Sequence, residues 1–379
     1  MAAVFRLQYN PPWHPPPIQS LPRWTSSCIG SAYANNCNKA FYTTQLRGDD
    51  VTPAARALDI AHSSSGVHDS QFSTVADAIR ISDGTRVLIK KSEPDRAYFH
   101  EAQMFRTFCS DPLASEPVNR CIRLIEILFV PDEPRFDLIV MPFYYDWDLV
   151  PFLTTGEAVE FFSQIFEGLR FLHNKQVWHG DVKCNNILMD ASPLFVKEVN
   201  PWRPQLTRDL RRLTRFRNRL RHPVKYYIID FDLSGVHDPS KGPPRTLPGY
   251  GGTRGVPEFD YDQLCNPFAV DVYCLGSLIA GYFTEGENYN FGHVKKRGFQ
   301  FMQRLVADMM NNDPAKRPSM NEVVSRFSDI KAGLSWWQLR SRCSAVDERP
   351  LPRVFKTIFH WPRQCYYIAR RIHAIPAVG

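Results

Sequence analysis

The sequence predicts an α+β chain in which the strands come early and the longest helix follows them. Between residues 72 and 141, short apolar and β-branched runs are punctuated by turn residues. Phe161, Ile165, Leu169 and Leu172 then recur at the spacing of a buried helix face. Beyond that helix, Tyr226-Tyr227-Ile228-Ile229 is one more apolar strand, ending on Asp230.

Composition sets the outer limits. A length of 379 residues suits one large or two modest domains with tails. The 44% hydrophobic content suffices for a core, while no run approaches the roughly 18 apolar residues of a membrane span. No signal-peptide pattern opens the sequence. Nine cysteines, an odd number without paired metal spacing, point to a reducing compartment, so an intracellular protein, cytoplasmic or nuclear, is expected.

Taken in order, residues 1–50 hold Pro11, Pro12, Pro15, Pro16, Pro17 and Pro22 and no acid before Asp49, which predicts a disordered leader. Strands are expected over 72–79 and 86–90, around the turn Ser82-Asp83-Gly84-Thr85. A helix follows Pro94, through Phe99, Ala102, Phe105 and Phe108. The runs Ile122–Val130 and Phe136–Met141 flank a Pro-Asp-Glu-Pro turn and predict a hairpin. The long helix covers 156–175.

Directly after it comes His179-Gly180-Asp181-Val182-Lys183-Cys184-Asn185-Asn186, and later Ile229-Asp230-Phe231. This H-x-D-x-K-x-x-N pattern with its strand-borne aspartate resembles the catalytic loop and metal motif of the protein kinase superfamily. The resemblance implies that Asp181 orients the attacking hydroxyl and that Lys183 sits beside the transferring phosphoryl group. It implies too that Asn186 and Asp230 hold Mg2+, a hard cation that prefers oxygen. Val87-Leu88-Ile89-Lys90 is similar to the kinase strand whose lysine holds the ATP phosphates, with Glu101 as the partner of Lys90. Val75 and Ala78 match the V-x-x-A after the glycine-rich loop, yet the three glycine positions fall on His68, Ser70 and Ser73. Met141 matches the gatekeeper and Pro142, Phe143 and Tyr144 the hinge, where the Pro142 carbonyl and the Tyr144 N–H would meet adenine.

Further on, Gly252-Thr253-Arg254-Gly255-Val256-Pro257-Glu258 resembles the end of a kinase activation segment. Arg317 matches the arginine that partners that glutamate, and Asp271 the aspartate that braces the catalytic loop. Two family positions differ: Gly180 stands where many kinases carry arginine, and Asp232 where they carry glycine. His-Gly-Asp followed by Ile-Asp-Phe-Asp also resembles small-molecule phosphotransferases of the aminoglycoside and choline kinase type. Lys183, Glu258, Asp271 and Arg317 favour the protein kinase branch, and Lys183 its Ser/Thr side. The stretch Arg221–Phe231 and the run from Trp336 are similar to kinase-like proteins abundant in mushroom-forming fungi.

The resemblance covers roughly 70–330 and implies a two-lobed protein kinase-like fold: a small antiparallel-sheet lobe with one main helix, then a mainly helical lobe. The expected organisation is a leader (1–50), a kinase-like domain (51–330, lobes about 65–143 and 144–330) and a tail (331–379). The implied activity is transfer of the ATP γ-phosphate, with Mg2+, to a serine or threonine of a protein of unknown identity. A pseudokinase scaffold is the first alternative, supported by the missing glycines, and a small-molecule kinase the second.

Two segments fall outside the pattern. An insertion over about 193–223 carries eight arginines against Asp209 and Glu198, and Arg212, Arg215 and Arg219 have helical spacing, which suits one basic helix. It could dock an acidic substrate, serve as a nuclear signal, touch nucleic acid or pack on the lower lobe; packing is favoured, and sparse aromatics leave no strong nucleic-acid signal. The tail from 335 has eight Arg and Lys against two acids, interleaved with aromatics. Membrane-surface contact is open to it, but packing on its own domain or on a partner is favoured.

Overall fold

The computed structural model describes residues 5–6, 75–80, 82–92, 101–129, 137–201, 203–253, 255–260, 263–286 and 294–377. The described residues form two compact units. One holds the residues up to Ala114 together with Ile122–Phe143; the other holds Ser115–Cys121 and the residues from Tyr144 onward.

The first unit is a five-stranded antiparallel sheet in the order β1-β2-β3-β5-β4. Its strands are β1 (Phe5–Arg6), β2 (Val75–Arg80), β3 (Arg86–Ser92), β4 (Glu126–Phe129) and β5 (Asp137–Pro142). The β2–β3 turn closes through Gly84, whose φ of +71° a residue with a Cβ adopts only under strain. Helix α1 (Glu101–Phe108) buries Ala102, Met104, Phe105 and Phe108. The predicted hairpin is present, with Glu126 opposite Val140. Its first strand starts at Glu126 rather than Ile122, because Ile122 and Leu124 engage the Cys109 thiol instead: Sγ donates to Ile122 O and accepts from Leu124 N. Of the leader, only Phe5–Arg6 are described; they pair with β2.

The second unit is mainly helical. Helix α2 (Thr155–Asn174), 20 residues long, is capped by the Thr154 hydroxyl, which accepts from Glu157 N at 3.3 Å. Phe161, Phe162 and Phe166 on α2 meet Trp147, Phe152, Tyr226, Phe283, Phe299 and Phe327 in one aromatic core. Around it lie α3 (Pro267–Ile279), α4 (Gln303–Met309), α5 (Met320–Gly333), α6 (Trp336–Arg340) and α7 (Pro350–Ala369). The helical stretch Pro267–Thr284 is long and apolar enough to cross a membrane, but 78% of it is buried within the protein, as a core helix would be. Short strand pairs complete the unit: β6 (Tyr145–Asp146) with β8 (Ile187–Met189), β8 with β9 (Tyr226–Ile228), and β7 (Val177–Trp178) with β10 (Gly235–Val236).

The basic helix expected around 212–219 is not formed. The insertion is held instead by isolated bridges, Phe195 to Phe216, Val199 to Thr207 and Leu206 to Leu213. The arginine spacing is helical, and Leu213, Phe216 and Leu220 share it, but Phe216 is taken by the bridge to Phe195 and Leu213 by the bridge to Leu206, where it stays 77% exposed, so these side chains do not form one buried helix face. Arg219 anchors the segment: it is 2% exposed, donates to the carbonyls of Val150 (2.5 Å) and Pro151 (3.1 Å), and lies over the Phe152 ring at 4.8 Å. The tail packs onto the same stretch. Cys343 N donates to Leu153 O at 3.1 Å and Thr155 N to Ser341 O at 3.0 Å. At Gly156 a Cβ would lie 2.1 Å from the carbonyl oxygen of Ala374, so only glycine allows the tail this close.

Candidate active site

In the sheet unit, Val75 stands opposite Lys90 and Ala78 opposite Val87. Lys90 Nζ lies 2.9 Å from Glu101 Oε1, and Glu101 is 2% exposed. A buried carboxylate needs such a cation, so the pair locks β3 to α1. Met141 is buried opposite Leu88, Pro142 closes β5 opposite Val87, and Phe143 N reaches Arg86 O at 3.4 Å. Pro142 has no N–H to offer, so the strand loses nothing by ending there. His68, Ser70, Ser73 and Pro94 lie outside the described residues.

In the helical unit, β7 delivers the chain to the loop that carries Asp181. Asp181 is 5% exposed, and its carboxylate is a meeting point. Oδ2 accepts from Lys183 Nζ (2.5 Å) and Asn186 Nδ2 (2.7 Å), and Oδ1 from Gly252 N. The loop is held from below by Asp271, on α3. Its two oxygens accept the backbone N–H of His179 (2.7 Å) and of Gly180 (2.8 Å), and one also meets His173 Nε2 at 3.0 Å. His179 is fully buried; Nδ1 accepts from Asp181 N at 3.1 Å, which leaves Nε2 to donate to Ile229 O at 3.0 Å. Ser234 Oγ donates to His179 O at 2.7 Å.

Gly180 has φ +78°, and a Cβ there would sit 2.3 Å from the Leu233 carbonyl oxygen. No larger residue fits the loop in this conformation. Asp230 has φ +69°, a left-handed value that aspartate tolerates better than most residues. Asp232 is not among the described residues of positive φ, so this backbone does not require the family's glycine there. Asn186 and Asp230 are brought together because Ile229 N donates to Asn186 O at 3.0 Å. Asn186 Nδ2 is directed to Asp181, which turns its amide oxygen away as an acceptor. An amide oxygen and a carboxylate make a hard, oxygen-only donor set, the kind Mg2+ takes.

A family model described as the protein kinase domain matches residues 69–300. The chain belongs to the protein kinase family. Curated relatives include a probable serine/threonine-protein kinase MARK-A of Dictyostelium discoideum, 24% identical over 57% of this chain and 20% of that protein. A light-sensor protein kinase of Ceratodon purpureus is 25% identical over 49% of this chain and 15% of its own length. The serine/threonine-protein kinase Nek8 of Danio rerio is 24% identical over 45% of this chain and 22% of its own. The chain therefore spans about a fifth of the length of these relatives.

Two more features of this kinase fold are built from the residues singled out above. Arg317 forks onto Glu258, with Nη1–Oε1 at 2.6 Å and Nη2–Oε2 at 2.7 Å. Two of its other three N–H groups go to Ala269 O (2.9 Å) and Asn311 O (2.7 Å), and it lies over the Tyr273 ring. Tyr144 stacks on Tyr227, ring centroids 4.8 Å apart. Sequence reasoning missed the grip of Gly252 on Asp181, since a backbone N–H leaves no residue signature, and the brace from Ser234. It also missed Asp148, whose carboxyl is pushed up to about 6 by burial and then by Asp146. The only signal was the acid spacing in Asp146-Trp147-Asp148.

Proposed function

We propose that the chain is an active protein serine/threonine kinase that uses ATP and Mg2+. The observation that carries this reading is the convergence of Lys183 and Asn186 on one oxygen of the Asp181 carboxylate. Phosphoryl transfer asks a protein for positioning and charge, not for covalent work. Asp181 holds and receives the proton of the incoming hydroxyl. Lys183 fixes that carboxylate and offers positive charge to the transferring group. Asn186 and Asp230 would hold the metal, which supplies neutralisation of the phosphate charge when bound. Lys90, fixed by Glu101, is assigned to the phosphates, with Val75, Ala78, Met141, Pro142, Phe143 and Tyr144 assigned to the nucleotide by their match to the family pattern.

The Ser/Thr assignment rests on Lys183 and on the kinds of relative matched. The fork between Glu258 and Arg317 speaks against a small-molecule kinase of the aminoglycoside type. The experiment is transfer of labelled phosphate from Mg-ATP to mixed peptides, beside a thermal-shift titration. Transfer to Ser/Thr peptides, lost in Asp181→Asn with melting unchanged, is expected. A thermal shift without transfer would instead identify a nucleotide-binding pseudokinase, and activity retained in Asp181→Asn would overturn the role given to Asp181.

A further inference from the structure

Helix α7 is built inside out. Its inward side holds His360, Gln364 and Tyr367. His360 Nε2 meets the Arg340 carbonyl at 2.8 Å, and Gln364 Oε1 accepts from Arg340 Nη1 at 3.1 Å. The outward side carries Leu351, Val354, Phe355, Ile358, Phe359 and Tyr366, spaced as one helical face. These are not half-sheltered residues: Leu351 and Phe359 are each 74% exposed and Phe355 is 61% exposed. A soluble protein rarely leaves a contiguous apolar face of this kind without a use for it.

Charge decides what covers it. Arg349, Lys356, Arg363 and Arg370 follow one another every seventh residue, so they run as a row along one border of the apolar face. Arg353 and Arg371 add to them, and no acid occurs after Glu348. On the opposite border, Trp361 meets Trp337 with ring centroids 5.1 Å apart. A second copy of the chain would bring two such basic rows together, and in each only Lys356 has an acid beside it, Glu348 at 2.9 Å. A flat anionic surface offsets them and accepts the apolar side chains at once.

We propose that the outward face of α7 is a membrane-docking element that lies on anionic lipid headgroups, with Phe355, Ile358 and Phe359 inserted and the basic row on the phosphates. The assignment differs from the packing favoured on sequence alone, because α7 uses only one of its sides to hold its own domain.

The test is sedimentation of the full chain with vesicles of phosphatidylcholine alone or with about one-third phosphatidylserine. Binding at least about tenfold stronger to the anionic vesicles is expected, weakening as salt is raised. Phe355→Ser with Phe359→Ser should reduce it roughly tenfold or more, and Arg363→Glu with Arg370→Glu likewise, with melting temperatures unchanged. Equal or absent binding to the two vesicles would overturn the proposal, as would full binding by the Phe355→Ser, Phe359→Ser variant. So would a dimer in light scattering that this variant converts to monomer, since the face would then be covered by a second copy.

Discussion

Gly180 stands directly before Asp181, where many kinases carry arginine, and its replacement by alanine is the sharpest test of the loop. Two costs add. A left-handed backbone charges an L-residue about 1–2 kcal/mol. The new Cβ would also lie 2.3 Å from Leu233 O and 2.9 Å from Leu233 C, atoms of a backbone that cannot rotate aside. Relieving that contact moves main chain by about 1 Å, at the roughly 1–3 kcal/mol typical of overpacking. The sum is about 3 kcal/mol, or a fall in melting temperature of about 6–12 °C for a domain this large. Gly84 separates the two terms: its φ is +71°, close to that of Gly180, but nothing lies within 4 Å of a Cβ there. Gly84→Ala should lose only the conformational part, about 1–2 kcal/mol. Thermal denaturation of both variants, with peptide phosphorylation for Gly180→Ala, gives the comparison. If Gly180→Ala melts no lower than Gly84→Ala, Leu233 does not dictate the glycine and the reasoning fails.

Arg317→Lys should cost about 2–4 kcal/mol in urea denaturation, since a lysine keeps the charge but not the fork onto Glu258 or the bonds to Ala269 and Asn311; a change under about 0.5 kcal/mol would contradict the buried-pair account. Lys90→Met should abolish the Mg-ATP thermal shift and destabilise more than the double variant Lys90→Met, Glu101→Gln, because the single change takes the lysine's charge away from a buried carboxylate; equal stabilities would refute this. Burial raises Glu160 to about 7, opposed by Gln164 and Lys331. The unfolded chain releases that proton near pH 4.3, so stability falls as pH rises from about 4.3 to about 7 and then levels. Glu160→Gln removes this loss: it should melt higher than the parent at pH about 8, by the equivalent of about 1–2 kcal/mol after allowing for partial exposure, and equally at pH about 4. Parallel melting curves across pH would show that Glu160 titrates normally.

Much of the fold could be read from the chain because periodicity and burial agree there. The helix over Thr155–Asn174 differs by one residue at each end from the reading of 156–175, since nearly every apolar position in it is buried. The hairpin partners and the β2–β3 turn followed from β-branched runs and Gly84. Residues whose chemistry is carried by a charged side chain, such as Asp271 and Arg317, could be matched by motif. What could not be read is carried by backbone. The hold of Gly252 on Asp181, the demand of Leu233 on Gly180 and the carbonyls that claim Arg219 involve atoms every residue possesses. The insertion shows the converse error: Arg212, Arg215 and Arg219, and with them Leu213, Phe216 and Leu220, have helical spacing, yet the bridges of Phe216 to Phe195 and of Leu213 to Leu206 claim the segment instead.

The two segments outside the family pattern are joined to the candidate site by one short stretch, residues 150–157. From the insertion, Arg219 takes the carbonyls of Val150 and Pro151 and stands 3.8 Å from Glu157. From the tail, Ser341 and Cys343 take the backbone of Thr155 and Leu153. Glu157 is fully buried and its carboxyl is pushed up by that burial, with Arg219 acting against the shift. At 3.8 Å the ion pair is loose, so the carbonyl bonds of Arg219, not its charge, do most of the fastening. This stretch is the start of α2, and α2 ends five residues before His179, with His173 on its last turn touching Asp271. The insertion and the tail therefore fasten the N-terminal end of the same helix whose last turn meets the aspartate under the catalytic loop, which places both segments among the contacts that hold this unit together.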